Sequence, residues 1–188
     1  MKDVSKFLGD WTLTNELVRV SSRWVTLVGE RWICDKGKEL EYWRVEKVDS
    51  VIVLPIHRGQ LLTAKPTFRP GVCRHTLDFP GGRLPEGKAP ADIVPLLLER
   101  ELGVPAHAVR QVQALNATKW DINSSFSNQG LWAFSAHIDD ACDVPETLIG
   151  LRASADADGV RALLGKLDCL QCRAVLTEWH LGRSSDGA

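Results

Sequence analysis

Leu97, Arg100 and Glu101 are spaced i, i+3 and i+4 in a leucine-rich segment, so on a helix their side chains share one face. Carboxylates at all three positions would converge on a divalent cation. Such a cation offsets phosphate charge and activates a water molecule for pyrophosphate hydrolysis, and Mg²⁺ asks for oxygen ligands. This face offers a single carboxylate beside a guanidinium. Arginine stays charged and competes for the same oxygens, which favours an ion pair between Arg100 and Glu101. The alternative is that Arg100 and Lys88 neutralise a diphosphate themselves, since guanidinium binds phosphate through two parallel bonds. Glu99 points to roughly the opposite side of the helix from Glu101. Glu86, on the Gly-containing turn just before Lys88, is the nearby carboxylate able to swing in.

Several elements must position these groups. Residues 11–45 alternate apolar and polar in pieces, with Asp35-Lys36-Gly37-Lys38 as a hairpin turn between strands around Trp32 and Tyr42. The apolar run Val48–Ile56 suits a buried central strand, turned by His57-Arg58-Gly59-Gln60 into a partner over Leu61–Ala64. A helix is expected over 93–102 with Asp92 as its N-cap, because Pro95 is tolerated only in a first turn. Gly103 ends it and Pro105 stops it. A strand then follows the helix, leading to a polar loop over 121–129 and a second strand over 130–138. Residues 139–147 read as loop. Residues 157–181 show helical periodicity, with a break near 165–168 that would divide them into two helices. The tail after Leu181 reads as disordered.

Set in order, Gly82, Leu98, Glu101, Gly103 and Val104 fit without a gap the pattern G-x5-E-x7-R-E-U-x-E-E-x-G-U, where U is a bulky aliphatic residue. The chain thus resembles the Nudix hydrolases. Lys88 stands at the first Glu of that pattern, Leu96 and Leu97 at the Arg-Glu pair, and Arg100 at the first Glu of the Glu-Glu pair. The approach to the box, Phe68-Arg69-Pro70 and then Leu77-Asp78-Phe79-Pro80-Gly81-Gly82, is similar to the ADP-ribose pyrophosphatase branch. The resemblance covers nearly the whole chain. It implies an α/β (α+β) Nudix fold, a mixed β-sheet sandwiched between helices with an N-terminal β-strand arm that packs on a second subunit. It also implies that Arg69 contacts ligand phosphate, that Gly82 borders the ligand, and that Trp32 or Trp43 stacks on a base or fills a dimer seam. A further carboxylate is expected from the loop after the box, where Asp121 is the acid present; an ordinary turn-forming role competes for it.

The composition narrows the function. Apolar residues make up 44% and charged residues 25%, which suits a soluble protein with a proper core. A formal net charge of −1 argues against nonspecific nucleic-acid binding. No stretch nears the ~20 apolar residues that span a bilayer, and the first residues lack the apolar run of a signal peptide. Five scattered cysteines suit a reduced, cytoplasmic protein. Cys169 and Cys172 form a C-x-x-C, but no second Cys/His pair completes a zinc set. They are expected as two small apolar residues on one helix face. Seven tryptophans are many for this length, and most are expected to supply buried area.

The expected layout is an arm over 1–46, a main domain over 47–182 and a tail over 183–188. The expected function is nucleotide-diphosphate binding with little or no hydrolysis, no cofactor, and a homodimeric state, with neither nucleic acid nor membrane as partner. Two rivals stand. One is an active Nudix hydrolase, cleaving ADP-ribose-like compounds with Mg²⁺ or Mn²⁺ held by a site rebuilt from Glu86, Glu101 and Asp121. The other is a protein interaction module. Fold alone cannot choose, because function belongs to the site.

Overall fold

The computed structural model describes residues 10–185. Within it the chain divides into two units. The residues up to Val48, together with Asp121–Gln129, make one; Asp49–Trp120 and the residues from Gly130 onward make the other.

The first unit is the arm. Strands β1 (Thr12–Ser21), β2 (Thr26–Ile33) and β3 (Glu39–Glu46) form an antiparallel sheet in sequence order. The β2–β3 turn falls at Asp35–Lys38 as the sequence suggests: Gly37 takes φ +71, a left-handed value natural to glycine, and the Cys34 N–H donates to the Lys38 carbonyl. The loop 121–129 belongs to the arm as well. Phe126 O accepts from Val45 N–H at 2.7 Å, and Asn128 Oδ1 accepts from Lys47 N–H at 2.8 Å. Trp43 lies opposite Gly29 in the register, and a Cβ on Gly29 would meet the indole at 2.9 Å. The aromatic ring therefore fills the space that the glycine leaves.

The second unit is built on β4 (Ser50–His57). This strand is buried along nearly its whole length, as its continuous apolar run requires. It is followed by β5 (Gln60–Ala64), the short pair β6 (Thr67–Arg69) and β7 (Arg74–Thr76), β8 (Gly81–Arg83), helix α1 (Pro90–Leu102) and β9 (Val109–Ala114). The two-residue strand β10 (Trp120–Asp121) lies where the chain passes to the first unit. After it come β11 (Gly130–Ile138), β12 (Ile149–Ser154), α2 (Ala157–Leu164) and α3 (Leu170–Ser185). The sheet runs β11-β4-β5-β12, with β9 on β11 and β8 on β4. It is mixed, since β11 pairs with β4 in parallel and β5 pairs with β4 antiparallel. Pro55 sits in this central strand because one edge of β4 is shared: β8 pairs at 50–52 and β5 at 56–57. The missing N–H falls between the two ladders.

Helix α1 packs Ile93, Val94, Leu97, Leu98 and Leu102 into one core with Val51, Val53, Leu62, Phe134, Ala136 and Ile138. Its start differs from the sequence expectation. The N-cap is Ala89, with Pro90 at the first helical position, where a missing N–H costs nothing. Pro95 therefore lies inside the helix. The carbonyl it leaves without an intrahelical donor belongs to Ala91, which is exposed and open to water. At the other end Gly103 takes φ +68 and donates to Glu99 O. The break between the last two helices falls over 165–169, as expected. Helix α3 runs on through Ser185, beyond the predicted end at Leu181, and residues 186–188 lie outside the described residues.

Candidate functional site

The box segment begins at Gly81-Gly82, which is a strand rather than the turn its composition suggests. β8 pairs with β4, placing Gly82 opposite Val51 and Gly81 opposite Ile52. Both glycines are demanded by close approach. A Cβ on Gly82 would meet Leu97 Cδ2 at 2.8 Å and Arg100 Nη2 at 3.3 Å, and one on Gly81 would meet Ile52 Cγ1 at 3.2 Å. The strand thus holds α1 by its Leu97–Arg100 face.

On that face the side chains divide sharply. Leu97 is 2% exposed and belongs to the core. Arg100 lies at the rim with 60% of its side chain open, and Glu101 with 25%. Arg100 uses Nη2 alone for both of its contacts: it donates to the Gly81 carbonyl at 2.7 Å and forms an ion pair with the Glu101 carboxylate. Its Nε and Nη1 donors make no hydrogen bond to any described residue, so they remain available to an anion. Glu86 and Lys88 are exposed in the turn before the helix, and neither side chain is hydrogen-bonded or ion-paired to a described residue. The structure therefore brings Gly82, Arg100 and Glu101 together and leaves Glu86 and Lys88 as free-standing charges.

This donor set does not fit a divalent cation. The position one turn before Glu101 is a buried hydrocarbon, and the carboxylate that is present already holds a guanidinium. Magnesium usually takes one or two carboxylates together with waters and substrate phosphate. Here the Glu101 carboxylate is paired with the Arg100 guanidinium.

Arg69, exposed at the surface, pairs with Asp78, donating to Asp78 Oδ2 from Nη2 at 2.9 Å and from Nε at 3.2 Å. The Thr76 hydroxyl donates to the same oxygen at 2.8 Å. Asp121 and Trp32 belong to the arm unit. Asp121 is exposed and makes no side-chain hydrogen bond or ion pair with a described residue. Asn123, not Asp121, organises the turn: its carbonyl accepts from Phe126 and Ser127 N–H, and its Oδ1 accepts from the Ser125 hydroxyl at 2.9 Å. Trp32 lines a cleft of about 290 Å³ with Trp11, Tyr42 and Arg44. Trp11 meets Tyr42 edge-on at 6.4 Å.

Sequence reasoning missed two anchors. Glu30 is 1% exposed on β2 and accepts two bonds from Arg44, at 2.7 and 2.9 Å, and one from Trp32 Nε1 at 3.1 Å. The Arg44 bonds outweigh burial and hold its carboxyl below the usual range. Asp49 ties β4 to β11, accepting from Gly130 N–H at 2.8 Å and from Lys119 Nζ at 3.1 Å. A Glu two residues before Trp32 in a strand of mixed polarity gives no signal that it is buried.

The sequence matches no family model and no curated protein. Among solved structures, one described as an ADP compounds hydrolase superposes with a TM-score of 0.75 over 97% of this chain and 99% of its own, at 16% identity. At that identity the likeness establishes the fold alone, and the fold is Nudix-like, with a mixed sheet, three helices and an antiparallel N-terminal sheet.

Proposed function

We propose that this Nudix-fold protein binds a nucleoside-diphosphate-like ligand and has little or no metal-dependent pyrophosphatase activity. One observation carries the reading: the Arg100 guanidinium bridges Glu101 and the Gly81 carbonyl on the helix face where cation-binding carboxylates would stand. A fixed guanidinium can neutralise phosphate charge and orient it, but it brings no bound water of lowered pKa, which is the metal's contribution to hydrolysis. The free Nε and Nη1 of Arg100, with unpaired Lys88, supply positive charge for phosphate oxygens. Arg69 is a weaker phosphate contact than its motif position implies, because Asp78 already neutralises it.

The arm is the proposed dimer surface. Val20, Trp24 and Trp43 are 58%, 55% and 41% exposed, and a second copy of the chain would cover them. Calorimetric titration of the protein with ADP-ribose, with and without millimolar Mg²⁺ or Mn²⁺, tests the binding reading. The expected result is binding of similar strength in both, lost in Arg100→Ala. Binding that needs the metal and survives Arg100→Ala would overturn it.

A further inference from the structure

The C-x-x-C motif is not two inert residues on one helix face. Cys169 immediately precedes α3, and its carbonyl accepts the first helical bond, from Arg173 N–H at 3.0 Å, so it occupies the N-cap position. Cys169 is partly open to solvent, whereas Cys172 is 1% exposed. Behind the pair stands Asp78. The Cys172 thiol reaches Asp78 Oδ1 at 3.9 Å, Phe79 N–H donates to Cys172 Sγ at 3.4 Å, and the two sulfurs and a carboxylate oxygen all lie within 4.8 Å of one another. An accessible sulfur on a helix N-terminus, a buried second sulfur behind it and a carboxylate beside that second sulfur are the parts required for dithiol–disulfide exchange.

We propose that Cys169 and Cys172 form a redox-active dithiol that reduces low-molecular-weight disulfides, with Asp78 as the base for Cys172. The Cys169 thiolate attacks one sulfur of the substrate disulfide. That S–S bond breaks, the first thiol leaves as thiolate and takes a proton from water, and a mixed disulfide remains on Cys169. Asp78 then accepts the Cys172 proton as Cys172 Sγ attacks Cys169 Sγ, and the second thiol is expelled and protonated. One substrate disulfide gains two electrons and becomes two thiols; the protein dithiol loses two electrons and becomes a disulfide. The Cys172 thiol, and after it the backbone N–H groups at the helix N-terminus, draw the Cys169 pKa down to about 6, so the attacking thiolate is present at neutral pH. The site shares Asp78 with Arg69, but none of its steps involves Arg100 or Glu101, and its test reads cysteine oxidation rather than nucleotide binding.

The test is exposure of the full-length reduced protein to glutathione disulfide/glutathione mixtures, followed by acid quench, alkylation and peptide mass mapping. The expected result is an intramolecular 169–172 disulfide, with exposed Cys73 remaining alkylatable. In Cys172→Ser the mixed disulfide should persist on Cys169, and in Cys169→Ser no glutathione should appear at 172. In Asp78→Asn the mixed disulfide should live at least tenfold longer near pH 7, with the gap narrowing as pH rises. Mapping of the wild-type protein needs no variant, so it decides even if a substitution unfolds the chain. Absence of the 169–172 disulfide at every ratio, or reaction at Cys169 no faster than at Cys73, overturns the proposal. A stoichiometric zinc ion in the purified protein that is lost in Cys169→Ser also overturns it.

Discussion

Arg100 and Glu101 are paired on the exposed end of α1, and Arg100 is fixed a second time by the Gly81 carbonyl of the strand it crosses. Glu101 is therefore already satisfied, and a metal would have to displace a tethered guanidinium to reach it. Arg100→Glu alone supplies two carboxylates but leaves buried Leu97 between them and β8. Leu97→Glu alone leaves Arg100 in place. Manganese affinity, measured by calorimetry, should rise only slightly in either single variant. In the double variant it should exceed the sum of the two effects by about 0.5–3 kcal/mol, the coupling typical of residues in contact.

Leu97 is also a stability determinant. Its Cδ2 fills the space beside Gly82, and the side chain is 2% exposed in the core. Leu97→Glu should cost about 3 kcal/mol or more in urea unfolding, from lost packing and a carboxylate left in an apolar site. Gly82→Ala should cost about 1–3 kcal/mol, because the added methyl collides with the same Leu97 methyl. Leu96 is 57% exposed, so Leu96→Arg should stay within about 0.5 kcal/mol. Equal losses at 96 and 97 would contradict the core assignment.

Much of this was legible beforehand, for identifiable reasons. The central strand and the box helix were legible as local patterns, a continuous apolar run and a glycine-closed helix, while the fold as a whole was implied by the resemblance of the motif frame to the Nudix hydrolases. The Gly81-Gly82 strand was not legible, because its glycines answer to Leu97 and Ile52 across the sheet and composition alone reads them as a turn. β12 is only six residues long, with Ile149, Leu151 and Ala153 as its alternating apolar positions. The break between the last two helices was legible from periodicity, yet Leu170, apolar by type, is 74% exposed, while Cys172 and Trp179 complete the buried face. Glu30 and Asp49 were missed because a buried carboxylate is betrayed only by its partners, and Arg44, Lys119 and Trp132 are distant in sequence. Asp78 was noticed as part of a motif, but its place between Arg69 and the cysteines is purely tertiary.

His57 predicts the acid limb of stability. It is 2% exposed, and neither ring nitrogen has a hydrogen-bond partner among the described residues. Burial, with Arg58 and then Arg152 nearby, pushes its pKa below the ordinary 6.5. The unfolded chain then binds the proton more tightly than the folded one. The stabilisation is complete above about pH 6.5 and falls by up to about 1.4 kcal/mol per pH unit below it, until the folded pKa is reached. His57→Leu should flatten the urea-derived stability profile in that window. An unchanged slope would contradict the buried, neutral imidazole. The Glu30–Arg44 pair adds a second loss only at lower pH, below the ordinary carboxylate value of 4.5, because its pKa is depressed.

The arm surface gives a prediction about association. Light scattering at micromolar concentration should report a dimer, and replacing both Val20 and Trp24 with Ser should shift it to monomer without unfolding the sheet. A wild-type monomer under those conditions would contradict the proposed seam.

The most direct measurement is turnover of ADP-ribose by the wild-type protein in millimolar Mg²⁺ or Mn²⁺, read as AMP formed over time. The guanidinium-filled site predicts binding without product formation above the uncatalysed background. Metal-dependent turnover at about 1 per second, the low end of ordinary enzymes, would contradict it and assign hydrolysis to a site rebuilt around Glu101.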